Sequence, residues 1–176
     1  EQKNKKAHPR YETKKGEQLQ FDWKEDIKMT SKFGIEYEFN IFSATLSASR
    51  LRYFAYSKTK TREDVERCLI ETFRFMSGIP KELLTDNMSS IVNISKNVFV
   101  PEFLAFAKDM NTTPKHCKKR SPETKGKVES QNRFMSWLIP YNHEFENEAE
   151  LTSILKKITL EINKEVNETT GVSPLL

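Results

Sequence analysis

The sequence predicts an α/β domain built on a mixed five-stranded sheet, three antiparallel strands followed by βα units, with helices on its faces. Three observations carry that prediction. Apolar residues alternate with polar ones in Leu19-Gln20-Phe21-Asp22-Trp23, and two further aromatic-rich strand segments follow closely. The pattern then changes to a 3.6-residue period in Val65, Cys68, Leu69, Thr72, Phe73 and Met76. After that, short apolar runs and helical stripes take turns along the chain.

Each element has a local reason. Leu19, Phe21 and Trp23 share one face of the first strand, with Gln20 and Asp22 on the other. The second strand covers about Glu36 to Leu46 and the third about Arg50 to Ser57, and the short link at 47–49 makes them an antiparallel hairpin. Thr61, with Asp64 three residues on, caps the first helix, and Gly78 with Pro80 stops it. Glu82-Leu83-Leu84-Thr85 is a fourth strand that delivers Asp86-Asn87 at its end. Pro101 opens a second helix and 112–117 is a fifth strand. A third helix runs from about Glu123 to Leu138. A fourth begins near Asn147, with Glu150 in the capping-box position and the stripe Leu151, Ile154, Leu155, Ile158 and Ile162.

Composition narrows the classes further. Lys and Arg number 29 against 25 Asp and Glu, so the net charge of +4 excludes a polycation and an acidic disordered chain alike. No apolar run approaches the roughly 20 residues of a membrane helix, which points to a soluble, cytoplasmic protein. Two distant Cys make no disulfide framework, no Cys/His cluster has zinc spacing, and Cys68 lies inside the helical stripe as a packing thiol. The chain starts at Glu1 and is read as a piece of something longer. Residues 1–15 form a basic linker or arm, either a solvated connector or a segment that tracks DNA. Residues 16–140 are read as the core, and 141–176 as a terminal helix and tail of the same domain.

Positive charge concentrates in a second place. Lys115, Lys118, Lys119, Arg120, Lys125 and Lys127 place six cations in thirteen positions, with Glu123 the only acid among them. Either this is a solvated loop, or it meets a phosphodiester backbone. Three carboxylates lie in contexts that allow convergence at one sheet edge: Asp22 on a strand, Asp86 at a strand end and Glu129 in the helix after the basic loop. Held close, they would repel unless a divalent cation such as Mg²⁺ or Mn²⁺ neutralised them. Alone, each also reads as a turn former or a solvated side chain. Asp26, the nearest rival to Asp22, falls past the predicted strand. His116 and His143 lack partners at ligand spacing, and Met135, Trp137 and Leu138 read as core or interface.

The local sequences add a resemblance. Gln-Phe-Asp-Trp at 20–23, Thr-Asp-Asn-Met at 85–88 and Lys-Gly-Lys-Val-Glu at 125–129 are similar to the three signature segments of DDE transposases and retroviral-type integrases, and most similar to IstA-type insertion-sequence transposases. Ser49-Arg50, Phe75-Met76-Ser77-Gly78-Ile79-Pro80, Pro101-Glu102-Phe103 and Asn167–Pro174 extend it along nearly the whole chain. The resemblance implies a ribonuclease-H-like fold and a metal-binding, catalytic triad of Asp22, Asp86 and Glu129 holding two Mg²⁺ or Mn²⁺ ions. It implies cleavage of DNA at an element's 3′ end, then attack of the freed 3′-hydroxyl on target DNA, with no covalent enzyme intermediate. Asn87 would orient substrate or Asp86, or serve only as a turn residue. Arg133, one turn after Glu129, would hold it or a phosphate. Partners implied are element-end and target DNA, further copies of the chain and an AAA+ ATPase helper. Two other readings stay open: a nuclease of the same fold that does not join strands, and an assembly module with an inactive site.

Overall fold

The computed structural model describes residues 16–117, 131–167 and 170–175. The strands among the described residues are β1 (Gln18–Thr30), β2 (Glu36–Leu46), β3 (Arg52–Ser57), β4 (Glu82–Thr85), β5 (Val92–Asn93), β6 (Val98–Phe99) and β7 (Thr113–His116). The helices are α1 (Arg62–Phe75), α2 (Pro101–Asp109), α3 (helical over the described 131–138) and α4 (Glu148–Lys164). Five strands form one sheet in the order β3-β2-β1-β4-β7, with β1–β2 and β2–β3 antiparallel and β1–β4 and β4–β7 parallel. That is the expected mixed sheet. The hairpin β5–β6 is an addition to the expected elements, although Ile91, Val92, Ile94, Val98 and Phe99 on either side of Ser95-Lys96-Asn97 are strand-favouring residues.

β1 is longer than its alternation suggests, and the reason is a bulge. The register steps from Lys24↔Ile41 to Ile27↔Phe39, so Glu25 and Asp26 together face Asn40. Asp26 takes a left-handed φ of 54°, and its N–H donates to Asn40 Oδ1 at 3.2 Å. Asn40 in turn donates to the carbonyls of Ser57 and Lys58 at the end of β3. One extra residue inverts the side-chain alternation. Leu19, Phe21 and Trp23 therefore pack in one core, whereas Ile27 and Met29, of the same odd parity, pack in the other. Asp26 is thus inside β1, not past it, which corrects the sequence expectation.

The two cores lie on opposite faces of the sheet. The first gathers α1, α2 and the β5–β6 hairpin over Leu19, Phe21, Phe42 and Leu83. The second gathers α3 and α4 over Ile27, Phe39, Ile41 and Phe54, with Phe134 stacked on Phe54 at 3.9 Å between ring centroids. Each such side chain, fully buried, contributes about 1.5–3 kcal/mol. The five apolar positions foreseen on α4 are all buried, and Asn147 caps it by accepting from Glu150 N at 3.0 Å.

Two features depart from simple signals. α1 has the expected Thr61–Asp64 capping box, but at its C-terminus the left-handed residue is Ser77 (φ 54°), while Gly78 follows and donates to Phe73 O at 3.0 Å. The helix ends in a Schellman motif with serine where glycine is favoured. The other departure is Asn163, fully buried on α4. Its side chain accepts from Arg52 N at 2.9 Å and donates to Arg52 O, so the amide imitates a neighbouring strand along the sheet edge at β3.

Ser77→Gly should raise stability by about 1 kcal/mol, read as a higher urea midpoint at unchanged slope. Asn163→Ala should lower it by about 1–3 kcal/mol, because it leaves the Arg52 backbone groups without partners. A midpoint within error of wild type would refute this role.

Candidate active site

The parallel pairing of β1 with β4 places the two described acidic candidates. Gln18 faces Glu82, Leu19 faces Leu83 and Gln20 faces Leu84, a constant offset of 64 residues. Asp22 and Asp86 have that same offset, two positions farther along. The ladder itself ends at Gln20 and Leu84; continued by two residues, it would set Asp22 and Asp86 level on adjacent strands about 4.8 Å apart, on the face of Gln20 and Leu84. Asp86 follows the C-terminal end of β4, where α/β sheets present ligand-binding groups, and Asp22 lies within β1 just past the stretch that pairs with β4. Each carboxylate accepts from the backbone N–H of the next residue: Trp23 N to Asp22 Oδ1 and Asn87 N to Asp86 Oδ1, both at 2.9 Å. Asp86 is exposed and Asp22 half-buried. Asn87 acts on Asp86 through this amide, a turn role of the kind its position suggests.

The same face continues onto β2 and under α3. Asp22 pairs across the antiparallel ladder with Ser43, and Lys24 with Ile41. Lys24, Ile41, Ser43 and Phe54 line a narrow crevice closed by Gln131, Phe134 and Met135 of α3. The described part of α3 thus sits over the strand bearing Asp22. Glu129 lies outside the described residues, as do Lys118, Lys119, Arg120, Lys125, Lys127 and the arm 1–15. Among the described residues no cluster of three His, Cys, Asp or Glu forms a metal site.

The remaining candidates are placed as follows. Lys115 on β7 forms an ion pair with Glu82, and that ammonium holds the Glu82 carboxyl below the usual carboxylate range. Arg133 pairs with Glu165 at the end of α4. His116 stacks on Phe99 at 4.3 Å, in the first core face, away from the carboxylates. His143 takes a φ of 67° and donates its N–H to Thr30 O, a turn role. Leu138 is buried and Met135 packs against the second core, but Trp137 remains 36% exposed. Lys24 is the residue that sequence reasoning passed over. Its parity with Asp22 was the available signal.

Comparison with known proteins gives three likenesses. The family model described as "Integrase core domain" matches residues 12–122, more than half of the chain. The putative transposase for insertion sequence element IS5376 of Geobacillus stearothermophilus is 34% identical over 97% of this chain and 43% of its own length. The transposase for insertion sequence element IS232 of Bacillus thuringiensis subsp. berliner is 32% identical over 94% and 39%. The chain spans about two-fifths of these relatives. Among solved structures, the HTLV-2 integrase catalytic core domain in complex with magnesium superposes with a TM-score of 0.67 at 16% identity, covering 91% of this chain and 94% of that one. The shared architecture is the ribonuclease-H-like fold.

The cysteines separate cleanly. Cys68 is fully buried in the first core, and burial pushes its thiol up to about 12. Cys117 is half-buried beside Gln20. At pH 8 a thiol-specific disulfide reagent should leave Cys68 unmodified until denaturant is added, since the reactive thiolate is absent far below its pKa. Modification of Cys68 in the folded protein would contradict that packing.

Proposed function

This chain belongs to the integrase core domain family, and from that premise we propose that it is the catalytic core of a transposase that cuts the 3′ end of an element's DNA and joins it to target DNA. What supports the proposal is the β1–β4 register, which continued past Gln20 and Leu84 brings Asp22 and Asp86 level on adjacent parallel strands. Two hard carboxylate donors so placed fit a divalent cation such as Mg²⁺ or Mn²⁺ better than any soft metal. Asp22 and Asp86 would hold it, with Glu129 proposed as the third ligand and two ions as the full complement. When bound, the ions supply charge neutralisation at the reacting phosphate and a lowered pKa for the attacking hydroxyl.

The chain's own work is orientation. The amides of Trp23 and Asn87 each hold one oxygen of the preceding carboxylate, which restrains its rotation. In the first step water breaks one phosphodiester bond and leaves a 3′-hydroxyl. In the second, that hydroxyl attacks a phosphorus of the target strand, one P–O bond forming as another breaks. Bond number is conserved, so joining needs neither a nucleotide cofactor nor a covalent enzyme intermediate. The basic residues Lys118, Lys119, Arg120, Lys125 and Lys127 would track the DNA backbone. Joining a pair of element ends calls for at least two copies of the chain. Recognition of the element's ends, and target choice with an AAA+ helper, would be the work of parts outside this chain. No described helix is long and apolar enough to cross a membrane, in keeping with action on DNA in the bacterial cytoplasm.

Incubation of labelled end DNA and a plasmid target with protein, Mg²⁺ or Mn²⁺ and any required ATPase tests this. Asp86→Asn and Asp22→Asn should each reduce joined product by more than about a hundredfold, with the thermal midpoint retained or raised as like charges are removed. Joining that survives Asp86→Asn overturns the site assignment. Cleavage by wild type with no joined product favours the nuclease reading.

A further inference from the structure

We infer that Lys24 is a phosphate-binding residue of this site, contacting the DNA backbone beside Asp22. The inference deepens the proposed function and rests on it. Gln20, Asp22 and Lys24 share one face of β1 ahead of the bulge, so Lys24 follows Asp22 by two residues, about 6.6 Å along the strand. The contrast with Lys28 is informative. Lys28, beyond the bulge, stands 4.0 Å from both Glu36 and Glu38, the cross-strand arrangement that normally neutralises a lysine in a sheet. Lys60 is paired with Glu25, Lys32 with Glu146 and Lys115 with Glu82. Lys24 faces Ile41 across the ladder, and among the described residues it has no carboxylate within ion-pair distance.

The crevice defines how Lys24 is held. Ile41 and Phe54 on the sheet and Phe134 and Met135 on α3 line it with Lys24, a setting in which a lysine packs its aliphatic stem against apolar side chains and carries its ammonium toward water. An ammonium with no acidic partner among the described residues, on a stem held in a crevice, loses little freedom on meeting an anion. Its position next to a carboxylate pair that would carry divalent ions selects the anion: a non-bridging phosphate oxygen of the strand being processed. Lys24 holds that strand; it takes no part in bond making.

The test measures the salt dependence of affinity for duplex DNA in the Asp86→Asn background, where no reaction proceeds. Lys24→Met keeps the stem and removes the charge. It should make the slope of log K against log salt less negative by about 0.9, the value of one lost phosphate contact. Lys24→Arg should restore the slope, and Lys28→Met should leave it unchanged. Wild-type slope in Lys24→Met, or an equal change in Lys28→Met, overturns the inference, since the second result would mean only net charge matters. Lys24→Gln gives the same reading if the Met variant folds poorly. Failure of the proposed function shows separately, as joining that survives Asp86→Asn in an otherwise wild-type chain.

Discussion

The bulge at Glu25–Asp26 is the constraint on which the rest of this structure depends. A regular strand of thirteen residues would place Leu19, Phe21, Trp23, Ile27 and Met29 on a single face. All five would then belong to the core under α1, and α3 and α4 would lie over Asp26, Lys28 and Thr30. The extra residue turns Ile27 and Met29 to the other side, where they meet Phe39, Ile41 and Phe145. One face of the sheet is thereby divided lengthwise. Its first half carries Gln20, Asp22 and Lys24, and its second half is apolar and covered by helices. Asn40 secures the arrangement, since a single buried amide serves Asp26 on β1 and two carbonyls at the end of β3.

Division of that face has an electrostatic consequence. Two carboxylates so near each other need water or a cation about them, and an apolar cover over both would add a desolvation cost. The bulge keeps the apolar cover over the far half of the strand, so Asp86 stays exposed and Asp22 half-buried. The site is left open enough for ions and a polyanion while α3 still docks alongside through the Phe54–Phe134 stack.

The fold was largely legible because its elements announce themselves independently: two-fold alternation, a capping box at Thr61, Pro101 at a helix start, Asn147 before an apolar stripe. What escaped shares one physical cause, dependence on a partner elsewhere in the chain. The continuation of β1 past Trp23 is hidden because the bulge breaks the alternation that reveals strands. Asn163 looks like a solvent residue beside Ile162 until β3 supplies the Arg52 backbone for it to bind. Ser77 occupies a left-handed position that sequence assigns to its neighbour Gly78. At the site, Asp22 and Asp86 were singled out from their local contexts, but their level placement follows only from the 64-residue register of β1 and β4. That Lys24 meets no carboxylate among the described residues depends on which residue of β2 lies across from it, and pairing register is not encoded in either strand alone.

The two cores consequently control different parts of the site. Leu19, Phe21 and Leu83 lie in the first core, directly beneath the strand segments that bring Asp22 and Asp86 level, so packing there governs the distance between the carboxylates. Phe54, Phe134 and Leu138 lie in the second core and govern where α3 rests relative to β1, hence the crevice that holds Lys24. A cavity in the first core acts on the donors themselves; one in the second acts on the helix and the cation beside them. β1, β2 and β3 each contribute side chains to both cores, so a disturbance in one core reaches the other through these strands, and in β1 it passes through the bulge beside Asp22 and Lys24.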